Sequence, residues 1–276
     1  MNSHTKEIFR YVLITILSLV MIFPLIWMFL SALKTPSEIM STDFIFFPQT
    51  PQWTNFIEAF ELAPFHLYIW NSLFSSLIIV ALQLLLSSMY AYALTQLNFR
   101  GRGFMFVLIL ITYMLPAAAT YVPSYVILAR TNLLNTFTGL IISNTASVAT
   151  IFLLRQNFKQ IPKELIEAGR IIGASEWTIY SKIVLPYSRS AIFTAGLISF
   201  VANYNSYLWP TLVLSDKDKQ LITVGLNSFF SSQGTFASQW PLIMAASAIS
   251  VVPLLIIFVL FQRYLITGIS GGGVKG

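Results

Sequence analysis

Long apolar segments alternate with shorter polar segments along the chain, and this pattern predicts a series of membrane-spanning helices. A helix needs ~20 apolar residues to cross a bilayer, and six segments come close to that length or exceed it. They are residues 11–33, 67–97, 103–129, 133–154, 190–214 and 240–262. The predicted fold class is all-α: a polytopic membrane protein in which residues 1–276 form a single transmembrane domain of six helices.

Prolines mark where these helices are expected to stop or bend. Residues 34–66 contain four prolines, which predicts an ordered external loop in place of a long helix. Pro116, Pro123 and Pro253 lie inside spans, where neighbouring helices must satisfy the backbone groups that a kink frees. A cleaved signal peptide is the alternative for residues 11–33. Its apolar core is usually about 7–15 residues long, so we interpret this longer stretch as a span.

Composition supports a membrane location, since 56% of the residues are hydrophobic and only 9% are charged. The absence of cysteine excludes disulfides, thiolate metal sites and cysteine nucleophiles. His4 and His66 are far apart in sequence, so no histidine-based metal or catalytic centre is predicted. A net charge of +6 raises nucleic-acid binding as an alternative, but the basic residues are dispersed among loops, a distribution typical of membrane orientation.

Basic residues favour an orientation with both termini in the cytoplasm, because lysine and arginine near span ends are retained on that side. With the N-terminus inside, twelve of the sixteen basic residues are cytoplasmic and four are external. The inside set is Lys6, Arg10, Arg100, Arg102, Arg155, Lys159, Lys163, Arg170, Lys182, Arg189, Arg263 and Lys275; the outside set is Lys34, Arg130, Lys217 and Lys219. The loop of residues 155–189 and the tail of residues 263–276 are therefore predicted to be cytoplasmic.

The spans lack the groups that a proton-driven pump needs, since none of the ten acidic and sixteen basic residues falls in the middle of a span. A charge there costs at least ~2.5–3.5 kcal/mol and is kept where a pump or symporter uses it. Sodium coupling through backbone and hydroxyl oxygens stays open, which leaves an ion-coupled carrier as an alternative. The phosphate-binding patterns GxxxxGKS and GxxxxGKT are absent, so we expect a partner protein to supply the energy.

The polar stretch 162–186 interrupts the apolar pattern and has its own signals for two short helices. Pro162 suits the first position of a helix, and Gly173 is expected to stop that helix. Ser175 can cap a second helix, which Pro186 is expected to end. A helix, a tight turn and a helix, with charges and an aromatic side chain exposed, are suited to docking in a groove of a soluble partner.

The same stretch carries a spaced motif: Glu167-Ala168-Gly169, then Gly173 after three residues, then Ile183-Val184-Leu185-Pro186 after nine. It resembles the signature loop of binding-protein-dependent ABC importer permeases, which reads E-A-A, three residues, G, nine residues, I-x-L-P. The resemblance implies a coupling helix that seats in an ATPase subunit, with Glu167 in the ATPase contact and Gly173 at the turn. The coupling positions that it implies are Glu167, Ala168, Gly169, Gly173, Ile183, Leu185 and Pro186.

Two positions depart from the family pattern. Gly169 replaces the second alanine, which weakens a helix by about 0.5–1 kcal/mol unless packing compensates. Ile172 stands where the family often has an acidic residue before the glycine. Both changes affect the detail of the ATPase interface more than the implied function.

A second resemblance narrows the class. The fifth span contains Asn203-Tyr204-Asn205-Ser206-Tyr207-Leu208-Trp209-Pro210, and the chain ends in a glycine-rich tail after Gln262-Arg263-Tyr264-Leu265. Both are similar to the carbohydrate-type permeases, in particular the MalG-like subunits of maltose importers. That resemblance implies that residues Gly273, Val274 and Lys275 reach the interface between two ATPase subunits. A frayed, solvated terminus is the alternative.

The fifth span also has the chemistry of a sugar path, since sugar hydroxyls bind amides and phenols while sugar rings rest on aromatic faces. Helical spacing places Phe200, Asn203 and Tyr207 roughly on one face, with Tyr204 adjacent. Hydrogen bonding between helices is the alternative role for these residues. We assign Asn144 to helix packing and leave Gln83 open between the two roles.

The resemblance implies one membrane half of an ATP-driven sugar importer, in a bacterial or archaeal cytoplasmic membrane, that works by alternating access and catalyses no covalent reaction. The implied partners are a second permease, two ATPases that hold ATP and magnesium, and an extracytoplasmic solute-binding protein. No cofactor, metal or nucleic acid is expected on this chain itself. Glycerol phosphate or another polyol is an alternative cargo, and a channel or structural membrane subunit is a further alternative.

Overall fold

The computed structural model describes residues 3–233 and 239–270, and all regular structure within them is helical. The α-helices in chain order are α1 (Ser3–Ala32), α2 (Pro36–Met40), α3 (Thr54–Leu62), α4 (Phe65–Gln96), α5 (Arg102–Met114), α6 (Ala117–Arg130), α7 (Phe137–Ser143), α8 (Val148–Phe158), α9 (Lys163–Ile171), α10 (Glu176–Ile179), α11 (Leu185–Tyr187), α12 (Arg189–Tyr204), α13 (Leu208–Val213), α14 (Ile222–Gln233) and α15 (Trp240–Ser270). A π-helical turn covers Tyr180–Val184, and a 3₁₀ turn covers Lys217–Lys219.

Three of the predicted spans are continuous helices. Helices α1, α4 and α15 contain the apolar segments Glu7–Ala32, Phe65–Gln96 and Trp240–Gln262, each long enough to cross a bilayer. Two further predicted spans coincide with pairs of bent helices, α5 with α6 and α7 with α8. A third bent pair, Glu176–Tyr187 with Arg189–Tyr204, begins in the polar stretch and covers only the first part of the predicted span 190–214. The described residues contain up to six spans if each bent pair is one span. The apolar pattern therefore gave the number of segments, while the breaks within them depend on local backbone chemistry.

Two of these breaks lie where the backbone cannot continue a helix. Helix α5 ends before Pro116, because the residue before a proline is forced into an extended conformation and Leu115 has φ −70° and ψ 133°. Asn144 ends α7, and the Ser147 side chain caps α8 by accepting a hydrogen bond from the Thr150 amide at 3.3 Å. Helices α7 and α8 meet at a 45° bend.

The predicted fifth span, residues 190–214, is also interrupted. Helix α12 ends at Tyr204 and α13 starts at Leu208, so Tyr207 lies outside α12. The break follows from Pro210, whose ring would clash with the carbonyl of Ser206 in an unbroken helix. The expectation that Tyr207 shares a helix face with Phe200 is therefore wrong.

The chain divides into two compact units, of which unit 1 takes the residues up to Leu67 and Gly225–Pro253. In unit 1, the Asn55 side chain of α3 donates hydrogen bonds to the carbonyls of Ala32 at 2.8 Å and Lys34 at 3.0 Å. The Lys34 side chain is buried, and its ammonium lies 4.1 Å from the centroid of the Trp27 ring, over the face of the ring. These contacts order the loop that follows α1.

Unit 2 takes Tyr68–Val224 and the residues from Leu254 onward. One of its cores joins the end of α4 with α8, α12 and the segment 161–184. The buried members of this core are Ala91, Tyr92, Leu154, Phe158, Ile161, Ile166, Ile179, Tyr180, Val184, Ala191 and Ala195. A second core packs α4 with α6, α7 and α13 around Ile79, Leu128, Leu140, Trp209 and Val213. The polar stretch singled out from the sequence is thus part of a packed core.

Candidate functional site

The loop unit, residues 162–188, starts with an amphipathic helix. Pro162 is the N-cap of α9, with φ −53° and ψ 130°, and Lys163 is its first helical residue, so the expectation that Pro162 opens the helix is off by one position. Ile166 and Gly169 are buried, while Glu167 and Ala168 are exposed. The helix therefore packs through one side and presents the predicted ATPase-contact residue on the other.

A tight turn at Gly173 ends α9. Gly173 has φ +78°, a left-handed conformation that residues with a Cβ atom rarely adopt. The Gly173 amide donates to the Arg170 carbonyl at 3.0 Å, and the Ala174 amide donates to the Gly169 carbonyl at 3.0 Å. This pair of bonds is a Schellman motif, which satisfies the last carbonyls of the helix. The structure thus places the predicted turn at Gly173.

The second half of the loop unit differs from the sequence prediction. Ser175 caps α10 as expected, since its side chain accepts a hydrogen bond from the Thr178 amide at 3.2 Å. Pro186, however, does not end the helix, which continues to Tyr187. A proline ring clashes with the carbonyl four residues before it in a regular helix, and the π turn at Tyr180–Val184 opens the helix there. A 77° bend at Ser188 then leads into α12.

Close packing between the two halves explains Gly169, one of the departures from the family motif. A Cβ atom at this position would lie 3.1 Å from Ile183 Cδ1 and 3.2 Å from Ile179 Cγ1. The glycine therefore lets α9 approach the second half closely, and this packing offsets its low helix propensity. Ile183 contributes to this contact, and Leu185 packs against the same core. Their observed role is to hold the loop unit together.

The tip of the loop unit is apolar and exposed. The exposed fractions are 85% for Ile171, 82% for Ile172 and 61% for Trp177. Large apolar side chains that cluster at a surface mark sites of protein interaction. Ile172, the second departure from the family motif, therefore adds apolar surface where the family often has a charge.

Hydrogen bonds around an ion pair of the loop unit tie it to the end of α4. Arg170 Nε lies 2.8 Å from Glu176 Oε1, and Arg170 Nη2 donates to the Gln96 carbonyl at 2.8 Å. The Tyr92 hydroxyl of α4 donates to Glu176 Oε2. Hydrogen bonds from Arg170, and then from Tyr92, lower the pKa of the Glu176 carboxyl, so it is ionised at neutral pH.

Aromatic contacts continue this attachment into the core. The hydroxyls of Ser88 and Tyr180 are 2.7 Å apart, and the rings of Tyr92 and Tyr180 meet edge to face with centroids 5.4 Å apart. Sequence reasoning missed all of these residues because Tyr92 and Glu176 are 84 positions apart in the chain. The sequence signal for these contacts was limited to the opposite charges of Arg170 and Glu176, which lie on either side of the turn.

The residues predicted to line a sugar path lie in two different environments. Tyr204 is 1% exposed and stacks on Phe200 with ring centroids 5.9 Å apart, whereas Tyr207 is 41% exposed. The Asn203 amide donates to the Ser199 carbonyl at 2.8 Å and faces Gln83 Oε1 at 3.5 Å. The stack and the bond to Ser199 lie within α12, and the contact with Gln83 connects α12 to α4.

Gln83 and Asn144 belong to the same polar connection. The Gln83 side-chain amide donates to the Asn144 carbonyl at 2.6 Å, so it links α4 to the end of α7. The Asn144 side chain donates to the Leu140 carbonyl of its own helix at 2.7 Å, so the contact between α4 and α7 uses the Asn144 backbone and the Gln83 side chain. A small cavity of about 120 Å³ has a mostly apolar lining that includes Leu153 and Ile198, with the hydroxyl residues Ser147, Thr150 and Ser199 at its wall.

Two further expectations concern the C-terminal ATPase contact and the absence of a metal site. Gly273, Val274 and Lys275 fall outside the described residues. Among the residues that the structure does describe, no group of three or more histidine, cysteine, aspartate or glutamate side chains is placed to hold a metal ion. The loop unit is therefore the site that the geometry defines best.

Comparison with known proteins places this geometry in a family. Residues 83–271 match the model of the "Binding-protein-dependent transport system inner membrane component". The arabinooligosaccharides transport system permease protein AraQ of Halalkalibacterium halodurans is 33% identical over 282 residues, which cover 100% of each chain. The sn-glycerol-3-phosphate transport system permease protein UgpE of Yersinia enterocolitica is 32% identical over 97% of each chain.

A solved structure shares the fold. It is a chain of a bacterial ABC transporter involved in the import of the acidic polysaccharide alginate, with a TM-score of 0.82 and 23% identity over 96% of this chain and 99% of that one. The family match covers the loop unit together with α8 and α12, against which it packs. The chain therefore belongs to the family of binding-protein-dependent transport system inner membrane components.

Proposed function

We propose that this chain is the membrane permease subunit of an ATP-driven, binding-protein-dependent sugar importer, in which it forms half of the translocation path. The observation that carries the proposal is the loop unit: a packed helix-turn-helix with the family motif, an exposed apolar tip and a direct attachment to two long helices. Such a unit is built to receive a partner and to pass its movement on.

The energy for transport comes from partner ATPases in this proposal. Two ATPase subunits hold ATP and magnesium, and this chain binds no cofactor and catalyses no covalent reaction. The exposed carboxylate of Glu167 and the apolar tip at Ile171, Ile172 and Trp177 would enter a groove of one ATPase. Because the tip is apolar, that groove should present apolar side chains to it.

Alternating access follows if each ATPase moves its groove during the cycle. The loop unit is held internally by the close contact at Gly169 and by the turn at Gly173, so it moves as one piece. Its displacement would then tilt the helices against which it packs. A second, related permease would supply the other half of the path, and Gly273, Val274 and Lys275 would add a further ATPase contact.

The membrane arrangement is part of the proposal. Both termini and the loop unit would face the cytoplasm, in agreement with the distribution of basic residues. The external segments 34–66 and 215–239 would then help to dock an extracytoplasmic solute-binding protein. This arrangement puts the energy source and the cargo on opposite faces of the membrane.

A neutral sugar is the proposed cargo. AraQ is named for arabinooligosaccharides and UgpE for sn-glycerol-3-phosphate, so relatives that each match nearly the whole chain differ in cargo. The absence of charges from the middle of the spans favours a neutral substrate over an anionic one. Glycerol phosphate or another polyol is the second candidate. Membership of this family gives no support to an ion-coupled carrier.

Co-purification with the chain's own ATPase tests the energy source. We expect a complex with two ATPase copies, whose ATP hydrolysis and sugar uptake in proteoliposomes depend on the solute-binding protein. Glu167→Ala should weaken ATPase association, while Glu164→Ala, at an exposed carboxylate one turn earlier, should not. Uptake by the chain without any ATPase, driven by a sodium or proton gradient, would overturn the proposal. Binding of a sugar panel to the solute-binding protein identifies the cargo.

A further inference from the structure

The loop unit is joined to the rest of unit 2 by the chain at both of its ends, by the apolar core that it shares with α4, α8 and α12, and by polar contacts with α4. Its C-terminal end continues through the 77° bend at Ser188 into α12. Among the polar contacts, Arg170 and Glu176 form a fork of hydrogen bonds with Tyr92 and the Gln96 carbonyl at the end of α4. Apolar contacts are not directional, whereas hydrogen bonds have a defined geometry, so the fork sets the orientation of the loop unit on α4.

The fork is geometrically specific. The Arg170 guanidinium spans two acceptors, because Nε lies 2.8 Å and Nη2 3.3 Å from the Glu176 carboxylate while Nη2 also lies 2.8 Å from the Gln96 carbonyl. Glu176 accepts from both Arg170 and Tyr92, so its carboxylate joins the turn of the loop unit to α4. A planar guanidinium suits this fork, and the shorter point charge of lysine does not.

The Arg170–Glu176 ion pair contributes little to stability by itself. The side chains of Arg170 and Glu176 are 38% and 45% exposed, and solvent-exposed ion pairs are weak because water screens them. The loop unit already has a packed core around Ile179 and Val184. The fork therefore adds orientation to a unit whose folding does not depend on it.

We propose that Arg170, Glu176 and Tyr92 are positioning residues that make α4 move with the loop unit, so that the ATPase stroke reaches two helices at once. This inference rests on the proposed importer function. Without the fork, the loop unit would still bind an ATPase through its tip and keep its apolar contacts, but it would slip against the end of α4. Part of each ATP-driven movement would then fail to reach α4.

Single-atom variants test this inference in the complete transporter. Tyr92→Phe removes only the hydroxyl, and Glu176→Gln removes the charge with little change in shape. We expect both variants to assemble with the ATPases and to consume about five times more ATP per sugar imported, at the lower end of the roughly 5–150-fold range typical of coupling between sites. Tyr90→Phe, on the exposed side of α4, and Glu164→Gln, on α9, are the matched controls and should keep the wild-type ratio.

A cross-link between the loop unit and α4 should restore coupling in a variant that lacks the fork. Residues that only stabilise the fold would not show this rescue. The chain contains no cysteine, so Tyr92→Cys combined with Glu176→Cys gives a unique pair for a short bis-maleimide. The uncross-linked pair should be uncoupled, and the cross-link should restore the wild-type ratio of ATP to sugar. If the cross-link instead stops transport, the loop unit and α4 must separate during the cycle and the inference is wrong.

The outcomes separate this inference from the proposed function. A wild-type chain that recruits no ATPase would overturn the importer proposal itself. A wild-type complex that is coupled, with an unchanged ratio of ATP to sugar in Tyr92→Phe and Glu176→Gln, would overturn the positioning role alone. A proportional loss of ATP hydrolysis and transport in these variants would also count against it, since the ratio would then be unchanged.

Discussion

The functional interpretation of the sequence rested on two stretches, residues 162–188 and 200–210, and they differ in how far their side chains are exposed. The loop unit, residues 162–188, keeps its characteristic groups on the surface: Glu167, Ile171 and Ile172 are all exposed. The stretch 200–210 buries its aromatic residues Phe200 and Tyr204. Exposed groups are available to a partner, whereas buried and hydrogen-bonded groups are committed to the fold.

This difference in exposure shows that residue type alone does not identify a functional side chain. Asn and Tyr in an apolar helix fit a sugar path and also fit contacts between helices, and sequence alone does not separate the two roles. A glycine with positive φ that is preceded by two exposed isoleucines has fewer structural explanations. The contrast predicts that substitutions in the buried stretch lower stability, whereas substitutions at the tip of the loop unit lower coupling.

The largest effect is expected at Tyr204. Tyr204→Ala removes a fully buried ring that stacks on Phe200, and the cavity should cost about 3 kcal/mol or more. Tyr207→Ala, at a half-exposed ring outside α12, should cost far less. Thermal unfolding of the purified complex in detergent measures both changes. If Tyr204→Ala kept its stability and lost only sugar uptake, the contrast between the two stretches would fail.

The two faces of the loop unit provide the next comparison. Ile179 is completely buried, so Ile179→Ala should cost about 2–4 kcal/mol in the same unfolding assay. Ile172 is exposed, so Ile172→Ala should change stability by no more than about 0.5 kcal/mol. Co-purification should nevertheless show weaker ATPase association for Ile172→Ala. Normal association would argue that the apolar tip is not a docking surface.

A comparison of alanine variants at Gly173 and Gly101 separates the effect of backbone strain from an effect on coupling. Gly173→Ala should cost about 1–2 kcal/mol, because φ is +78° and only the left-handed backbone resists a Cβ atom. Gly101 has φ +88° and similarly open surroundings, so Gly101→Ala should lower the unfolding temperature by a similar amount. Only Gly173→Ala should reduce ATP-driven uptake beyond that loss of stability. Equal uptake in the two variants would remove the turn from the coupling role.

The smallest effect is expected when Gly169 is changed to the family alanine. The helix gains up to about 1 kcal/mol of propensity, while the new methyl group crowds Ile179 and Ile183 at 3.2 and 3.1 Å. The net change in unfolding free energy should stay within about 1 kcal/mol. Ile183→Val removes the crowding Cδ1 atom, so Gly169→Ala should be more favourable in that background. A large loss in both backgrounds would show that backbone approach alone requires glycine.

Much of the loop unit could be predicted because its signals are local. Ser175 caps the helix that follows it, and Gly173 ends the helix before it, since both effects act within a few residues. Pro186 was misread because a proline usually ends a helix, and the π turn that accommodates it leaves no clear trace in the sequence. The partners of Glu176 were out of reach, because Tyr92 is brought to it by folding.

The sequence by itself determined that this protein is a chain of apolar helices, with a turn at Gly173 and a motif that identifies the family. These properties follow from hydropathy, backbone preference and residue spacing, all of which are written along the chain. Only the tertiary structure decided that Tyr204 is packed away, that Gly169 allows a close helix contact and that Arg170 and Glu176 hold α4. The physical reason is that burial and hydrogen bonding depend on distances between residues that folding alone brings together.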